Sequence, residues 1–468
     1  MPDADRRRVR SVRSPRPRVV IAGGGVAAIE ALLALRHLVG EQVSIQLLAP
    51  DHVFVHRPSS VARPFGLGGP DQVDLAAFAR EHGAHLWRGR LEGVDPARRV
   101  ALIAGGEATP YDVLIIAAGA TPKPAVPGAI SFAGPGQAAE VATVLDAVVR
   151  DESRRLVFAV PGGAAWSLPV YELAMMAAVD LRDRGAKNAT LSLVTPEDEP
   201  LRIFGPAAGS ALREMLDARG VALLTNTRPL ELRDGLLYVE PGKPLRADAV
   251  VSVPRLEGPA LAGVPSDARG FIPVDANGRV AGIAGVYAAG DATSFPIKQG
   301  GLATQQADAA AAAVAADLGL GPEPAPFRPV MRGLLLTGGA PLYLRAELAA
   351  GSEPTARRLR GEVSSRALWW PPGKVAGLHL APYLATARPV DLNAEPLRDR
   401  TPATSASAPD RDEAFQLALL LAEEDARVGD YHQALHALDA AAALAGGVLP
   451  EEWIESRERW RRELAPQR

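Results

Sequence analysis

Val19-Val20-Ile21-Ala22-Gly23-Gly24-Gly25-Val26-Ala27-Ala28 carries more structural information than any other stretch of the chain. Four apolar residues read as a short buried strand, broken by three glycines. From Val26 to Val39 the pattern is Ala/Leu-rich and helical, and Val43 to Leu48 reads as a second strand. Strand, glycine turn, helix and strand make one βαβ unit. The turn spells G-x-G-x-x-A. Gly23 permits the tight bend, Gly25 lets the backbone approach a pyrophosphate, and Ala28 is small enough for helix to pack on strand. The helix N-terminus behind it offers unpaired N–H groups and the positive end of a dipole to an anion.

Working outward, a second unit of the same kind starts at Leu156 to Val160, with a helix over Val170 to Asp180 and a strand over Thr190 to Val194. Between the two lies Tyr111-Asp112-Val113-Leu114-Ile115-Ile116-Ala117-Ala118-Gly119, a buried strand entering a glycine turn. Gly285-Val286-Tyr287-Ala288-Ala289-Gly290-Asp291 repeats that shape, and an Ala-rich helix follows. Past Gly319, residues 327–390 mix short strand-like runs with Trp369-Trp370-Pro371-Pro372. Asp391 to Asp412 is rich in Pro, Ala, Ser, Thr and Asp, as linkers are. From Glu413 onward two amphipathic helices flank Val428-Gly429-Asp430-Tyr431, and Pro450 marks the start of a third. The turn and the Ala434, Leu435, Leu438 spacing look like one tetratricopeptide-type hairpin, too little for a stable array.

Composition narrows the chemistry. At 468 residues the chain needs more than one domain. With 47% apolar and 22% charged residues and a net charge of -3, it is an ordinary globular protein with nothing that points to nucleic acid. Cysteine is absent, which excludes disulfides, thiolate metal sites, thiol nucleophiles and redox dithiols. Met1 to Arg18 hold seven Arg against two Asp with no apolar core after them, so this arm is expected to be disordered rather than an export signal. A cytoplasmic protein is expected, with peripheral contact at the inner face of a membrane left open.

The order of these pieces resembles the FAD-dependent pyridine nucleotide oxidoreductase superfamily across residues 18 to 390. The resemblance rests on the first fingerprint, on Tyr111-Asp112…Ala117-Ala118-Gly119 and on Tyr287-Ala288-Ala289-Gly290-Asp291. It implies an α/β fold with two Rossmann-like domains, a small C-terminal interface region and an appended α-helical hairpin. The implied boundaries are a disordered basic arm (1–17), an FAD-binding domain in two pieces (18–125 and 256–325) and an NAD(P)-binding-like domain (126–255). An interface region (326–390), a linker (391–412) and the hairpin (413–468) complete the chain. In that superfamily the residue matching Asp291 bonds the ribityl chain of FAD, and the following helix aims its N-terminus at the flavin. The residues implied for FAD are Gly23, Gly25, Ala28, Asp51, Pro58, Ala118, Gly119, Gly290, Asp291 and Gly301.

Without cysteine, the nearest relatives are type II NADH dehydrogenases and Cys-free members of the sulfide:quinone oxidoreductase group. Phe295 to Gln306 is similar to the flavin- and quinone-facing stretch of both, and Gly300-Gly301 leans toward the sulfide:quinone side. Glu172 resembles the Glu that approaches the flavin's reactive face, and Lys374 resembles a C-terminal Lys of the sulfide:quinone enzymes. An ion pair between them could relay a proton to the acceptor; a helix-end Glu and a solvated Lys is the plainer reading. Lys298 is the third catalytic candidate. His52 and His56, at i and i+4 without nearby acids, make a weak case for metal, and no metal is expected.

Two departures from the superfamily's pattern stand out. The ribose-binding acid of the first unit would fall at Ala49, leaving Asp51 as a substitute. The second unit reads Val160-Pro161-Gly162-Gly163-Ala164-Ala165-Trp166-Ser167-Leu168-Pro169 and lacks G-x-G-x-x-G. NAD(P)H binding there is expected to be impaired, although Glu197 stands where a ribose could be held. Three functions remain: electron transfer from a small-molecule donor through FAD to a quinone-like acceptor, a type II NAD(P)H dehydrogenase with a remodelled site, and a flavin-bearing interaction protein whose hairpin meets a partner. A homodimer is left open.

Overall fold

The computed structural model describes residues 16–68, 72–150, 154–186, 188–347, 361–386, 431–445 and 449–464, with single helical positions between 415 and 426. Most of the basic arm, the linker 391–412 and the Val428-Gly429-Asp430 turn lie outside the described residues.

Two five-stranded parallel sheets share the order of four strands and differ in the fifth, an edge strand that comes last in the chain in one sheet and first in the other. In the first, Val286–Ala288, Val113–Ile116, Arg18–Ala22, Ser44–Ala49 and His85–Arg88 lie side by side. In the second, the order is Ile130–Ser131, Ala249–Ser252, Arg155–Ala159, Thr190–Val194 and Val221–Leu224. The continuous apolar runs explain the choice: Val19, Val20 and Ile21 are all fully buried, as strands covered on both faces require. Helix Val26–Val39 packs along helix Gly300–Asp317, and alanines at 27, 28, 31, 34, 303, 307, 310 and 311 let the two backbones close together.

The second unit's helix runs Leu168–Asp183, two residues earlier than the apolar pattern suggests, with Pro169 in its first turn where a missing N–H is tolerated. Val330–Leu335, Leu342–Glu347 and Gly361–Ser364 form an antiparallel three-stranded sheet. One face of it joins the second unit's core: Met331, Leu335, Leu344 and Ala346 pack with Leu168 and Phe204.

Beyond the sheet, Trp369 packs edge-on against Tyr343 at 5.1 Å and donates its indole N–H to the Gly373 carbonyl at 3.1 Å. Trp370 turns the other way, into the cluster formed by helices Tyr431–Leu444 and Glu451–Leu464 around Leu438 and Trp460. The helical appendage thus docks on its own chain. Among the described residues no helix is long and apolar enough to cross a membrane.

Candidate functional site

The three motifs of the first unit follow three neighbouring strands. Ladder hydrogen bonds run up to each turn: Gly23 N–H to the Leu48 carbonyl (2.8 Å), Ala117 N–H to Ala22 (2.8 Å) and Ala289 N–H to Ile116 (3.0 Å). The turns Gly23–Gly25, Ala118-Gly119 and Gly290-Asp291 therefore converge beyond the carboxyl ends of one sheet, where open α/β sheets form their crevices.

The two outer glycines of the fingerprint have different duties. Gly23 sits at φ +146°, and a Cβ there would stand 2.1 Å from the Ala117 carbonyl oxygen, so the fold itself demands glycine. Gly25 has ordinary extended angles, and nothing lies within 4 Å of where its Cβ would stand. It is an open cradle that a Cβ would fill. No side chain caps helix Val26–Val39, which leaves its first-turn N–H groups free for an anion.

Asp291 is half-buried, and burial raises its carboxyl above the usual range against the pull of Lys298 and Arg57. Its carboxylate has no hydrogen bond among the described residues. The Gln306 side chain fixes the turn by accepting the Gly290 N–H at 2.8 Å. Gly119, at φ +72°, also borders open space. Open glycines, uncapped helix donors and an uncommitted carboxylate fit the pyrophosphate and hydroxylated chain of FAD. Asp51 is exposed and makes no hydrogen bond among the described residues, so nothing in the chain orients it.

Lys298, Gly300, Gly301 and Pro58 come together at the start of helix Gly300–Asp317. A Cβ on Gly300 would stand 2.8 Å from Val375 and 3.8 Å from Pro58. Gly301 is buried. Lys298 is buried too: its ammonium donates to the Thr293 carbonyl and lies 3.9 Å from the Phe271 ring centroid. Burial lowers it to about 8, with Asp291 opposing.

Glu172 and Lys374, 202 positions apart, meet in a buried ion pair. Glu172 is 1% exposed, and its Oε1 also accepts the Leu336 N–H at 2.8 Å. Burial raises the Glu172 carboxyl and lowers the Lys374 ammonium, each opposed by its partner's charge. Both shifts act in the same sense, narrowing the gap between the charged pair and the neutral pair.

The second unit is arranged otherwise. Glu197 is occupied: Ser167 donates to its Oε1 at 3.1 Å, and Tyr171 and Thr195 donate to its Oε2 at 2.5 and 3.0 Å. Trp166 lies edge-on to Phe204 at 5.9 Å, and the Arg228 side chain crosses Gly162, 3.0 Å from where a Cβ would be. His56 bonds Ser59 at 2.8 Å. Among the described residues no cluster of His, Asp or Glu suits a metal ion.

Sequence reasoning missed two features. Arg57, beside Asp291 in charge, is exposed at the crevice. Glu30, a lone charge on the alanine-rich buried face of the first helix, is fully buried. It lies among Ala27, Ala31 and Ala34, a setting that marks it as buried only once the facing helix is known.

The chain matches the family model described as pyridine nucleotide-disulphide oxidoreductase over residues 17–315. It is 28% identical over 292 residues to apoptosis-inducing factor 3 of Mus musculus, covering 60% of this chain and 46% of that protein. It is 28% identical over 226 residues to ferroptosis suppressor protein 1 of Homo sapiens, covering 48% and 56%. The chain spans about half the length of the curated relatives it matches. Among solved structures, the sulfide:quinone oxidoreductase of Aquifex aeolicus superposes with a TM-score of 0.66 at 19% identity, covering 79% of this chain and 89% of that one; it speaks for the fold. The family match spans well over half of the sequence and its motifs meet in one strand-end crevice, so this chain belongs to the pyridine nucleotide-disulphide oxidoreductases as an FAD-dependent member without the disulphide.

Proposed function

We propose that this chain passes electrons from a reduced donor other than NAD(P)H to a quinone-like acceptor, with Lys374 as the proton donor and Glu172 as its partner. The observation that carries this reading is the buried ion pair on the strap that crosses the start of helix Gly300–Asp317. FAD, when bound, supplies the two-electron chemistry. The protein's part is the proton. A quinone becomes a hydroquinone by gaining two electrons and two protons. The Lys374 ammonium gives one proton to the acceptor oxygen as charge develops there, and solvent supplies the second and restores Lys374. Glu172 holds the ammonium in place.

Burying two charges is costly unless the pair and its hydrogen bonds are complete. Such a pair is a poor choice for stability alone, which supports a role in chemistry. The test is Lys374→Met. The variant is expected to remain yellow and reducible but to reduce quinone analogues about 10²-fold more slowly, the size of a lost general acid. Reoxidation at the wild-type rate would remove Lys374 from the reaction.

A second reading, a protein partner at the helical appendage, has one observation behind it. Glu423, Ala426, Tyr431, Arg459, Trp460 and Glu463 line a cavity of about 290 Å³ there. Trp460→Ala would weaken such a partner's binding while leaving FAD content unchanged; equal binding would end that reading.

A further inference from the structure

We propose that Glu30 is a positioning residue for Lys374: it anchors the strap Lys374–Leu380 across the first and last helices of the FAD-binding unit, and so fixes where the lysine stands. This rests on the function proposed for Lys374 only in what it means for catalysis. The geometry stands by itself.

Both oxygens of Glu30 are spent on the strap. The His379 N–H donates to Oε1 at 2.8 Å and the Leu380 N–H donates to Oε2 at 2.7 Å. Gly377 passes so close that a Cβ there would stand 2.6 Å from Glu30 Oε2 and 2.9 Å from the Thr304 methyl. Nearer Lys374, Thr304 Oγ1 lies 3.5 Å from the Ala376 carbonyl, and Val375 covers Gly300. The strap is therefore pinned at Val375, Ala376, Gly377, His379 and Leu380, and Lys374 is its next residue.

Capping the short helix Leu380–Thr386 would not by itself require a fully buried carboxylate. A water-exposed Asp or Ser serves most helix N-termini. Here a charge is carried into the seam between two helices that otherwise touch through alanine. Asp308, on the facing helix, lies in hydrogen-bonding reach of Glu30, and burial beside that carboxylate lifts it well above the usual range. The two backbone N–H groups of the strap remain the hydrogen bonds that Glu30 makes. His379 Nε2 stands 4.0 Å from Asp308 Oδ1 and completes the cluster.

The test reads Lys374 directly. The chain holds only five lysines, Lys123, Lys187, Lys243, Lys298 and Lys374, so acylation by an amine-reactive ester can be followed residue by residue in peptide mass spectra of the full-length, FAD-loaded protein. In the wild type, Lys374 and Lys298 should react slowly and exposed Lys123 fast. Glu30→Gln removes one acceptor oxygen and turns an amide N–H toward a strap N–H. It should raise Lys374 labelling about 10-fold or more, the equivalent of one lost charge-assisted hydrogen bond. Lys298, buried but off the strap, should keep its wild-type rate. Asp308→Asn, which leaves both strap N–H bonds to Glu30 in place, should leave Lys374 protected. Should Glu30→Gln fold poorly, Gly377→Ala pushes the strap off the Glu30 carboxylate without altering any charge, and should expose Lys374 in the same way.

Unchanged Lys374 labelling in Glu30→Gln or Gly377→Ala, or a parallel rise at Lys298, would overturn the proposal, the last because it reports general loosening. The labelling result does not depend on catalysis. If Lys374→Met reoxidises normally, the proton-donor role fails while the positioning claim is judged on labelling alone.

Discussion

The two nucleotide units of this molecule share the order of four strands and differ in what stands at the glycine turn after the central one. In the first, Gly25 borders open space and the helix Val26–Val39 is uncapped. In the second, the helix Leu168–Asp183 opens with Pro169, Arg228 lies over Gly162, and Glu197 is held by three hydroxyls. The same architecture thus leaves its N–H groups available to an anion in one place and covers or deletes them in the other. A fold supplies the crevice, and a few residues at the turn determine whether a dinucleotide can enter it.

The largest expected effect follows from Gly25. Its angles suit any residue and its surroundings are empty, so Gly25→Val should fold normally and yet lose FAD, from about one per chain to almost none. Flavin absorbance against protein concentration measures it, with circular dichroism as the check on folding. Full FAD content in that variant would mean that the crevice does not hold the cofactor. The matching change in the second unit, Gly162→Val, should leave FAD content alone.

Next in size is the coupling between Glu172 and Lys374. Removing one partner of a buried pair costs about 3–5 kcal/mol because the other charge is stranded. Lys374→Met and Glu172→Gln should each slow quinone reduction, and the double variant should be little worse than either alone. Additive rate losses would mean that the two residues act separately.

The smallest effect is a stability change with pH at Lys298. Its folded value lies near 8, below the ordinary lysine range. Between about 8 and 10.5 the unfolded chain binds a proton that the folded chain does not, so stability rises with pH across that window. The burial penalty is fully present below about 8 and fades above it. Lys298→Met should therefore melt a few degrees higher than the wild type at neutral pH, with the advantage shrinking toward pH 10. A difference that does not vary with pH would contradict this.

Legibility in the sequence followed the range of the interactions. Helix Val26–Val39 and its flanking strands could be read from period and glycine placement because each is set by neighbours in the chain. The pairing of Val330–Leu335, Leu342–Glu347 and Gly361–Ser364 into one antiparallel sheet could not, since its covered face is supplied by Phe204 and Leu168, far away in sequence. Resemblance singled out Glu172 and Lys374, and only the fold brings residues 202 apart into one ion pair. Glu197 stands where a ribose could be held. The structure turns it inward, because Tyr171 and Ser167 on the adjacent helix reach it first. Glu30 went unread because a single acid in an alanine-rich helix looks like a solvated face until the neighbouring helix is known.

The contrast between the two units is tested most directly by an anaerobic titration of the FAD-loaded protein with NADH and then NADPH, following the flavin's visible absorption. With the second turn covered, micromolar NADH or NADPH should leave the flavin oxidised over the time in which dithionite bleaches it completely. Rapid, stoichiometric bleaching by either nucleotide would contradict this and make the chain a pyridine nucleotide dehydrogenase with a working second site.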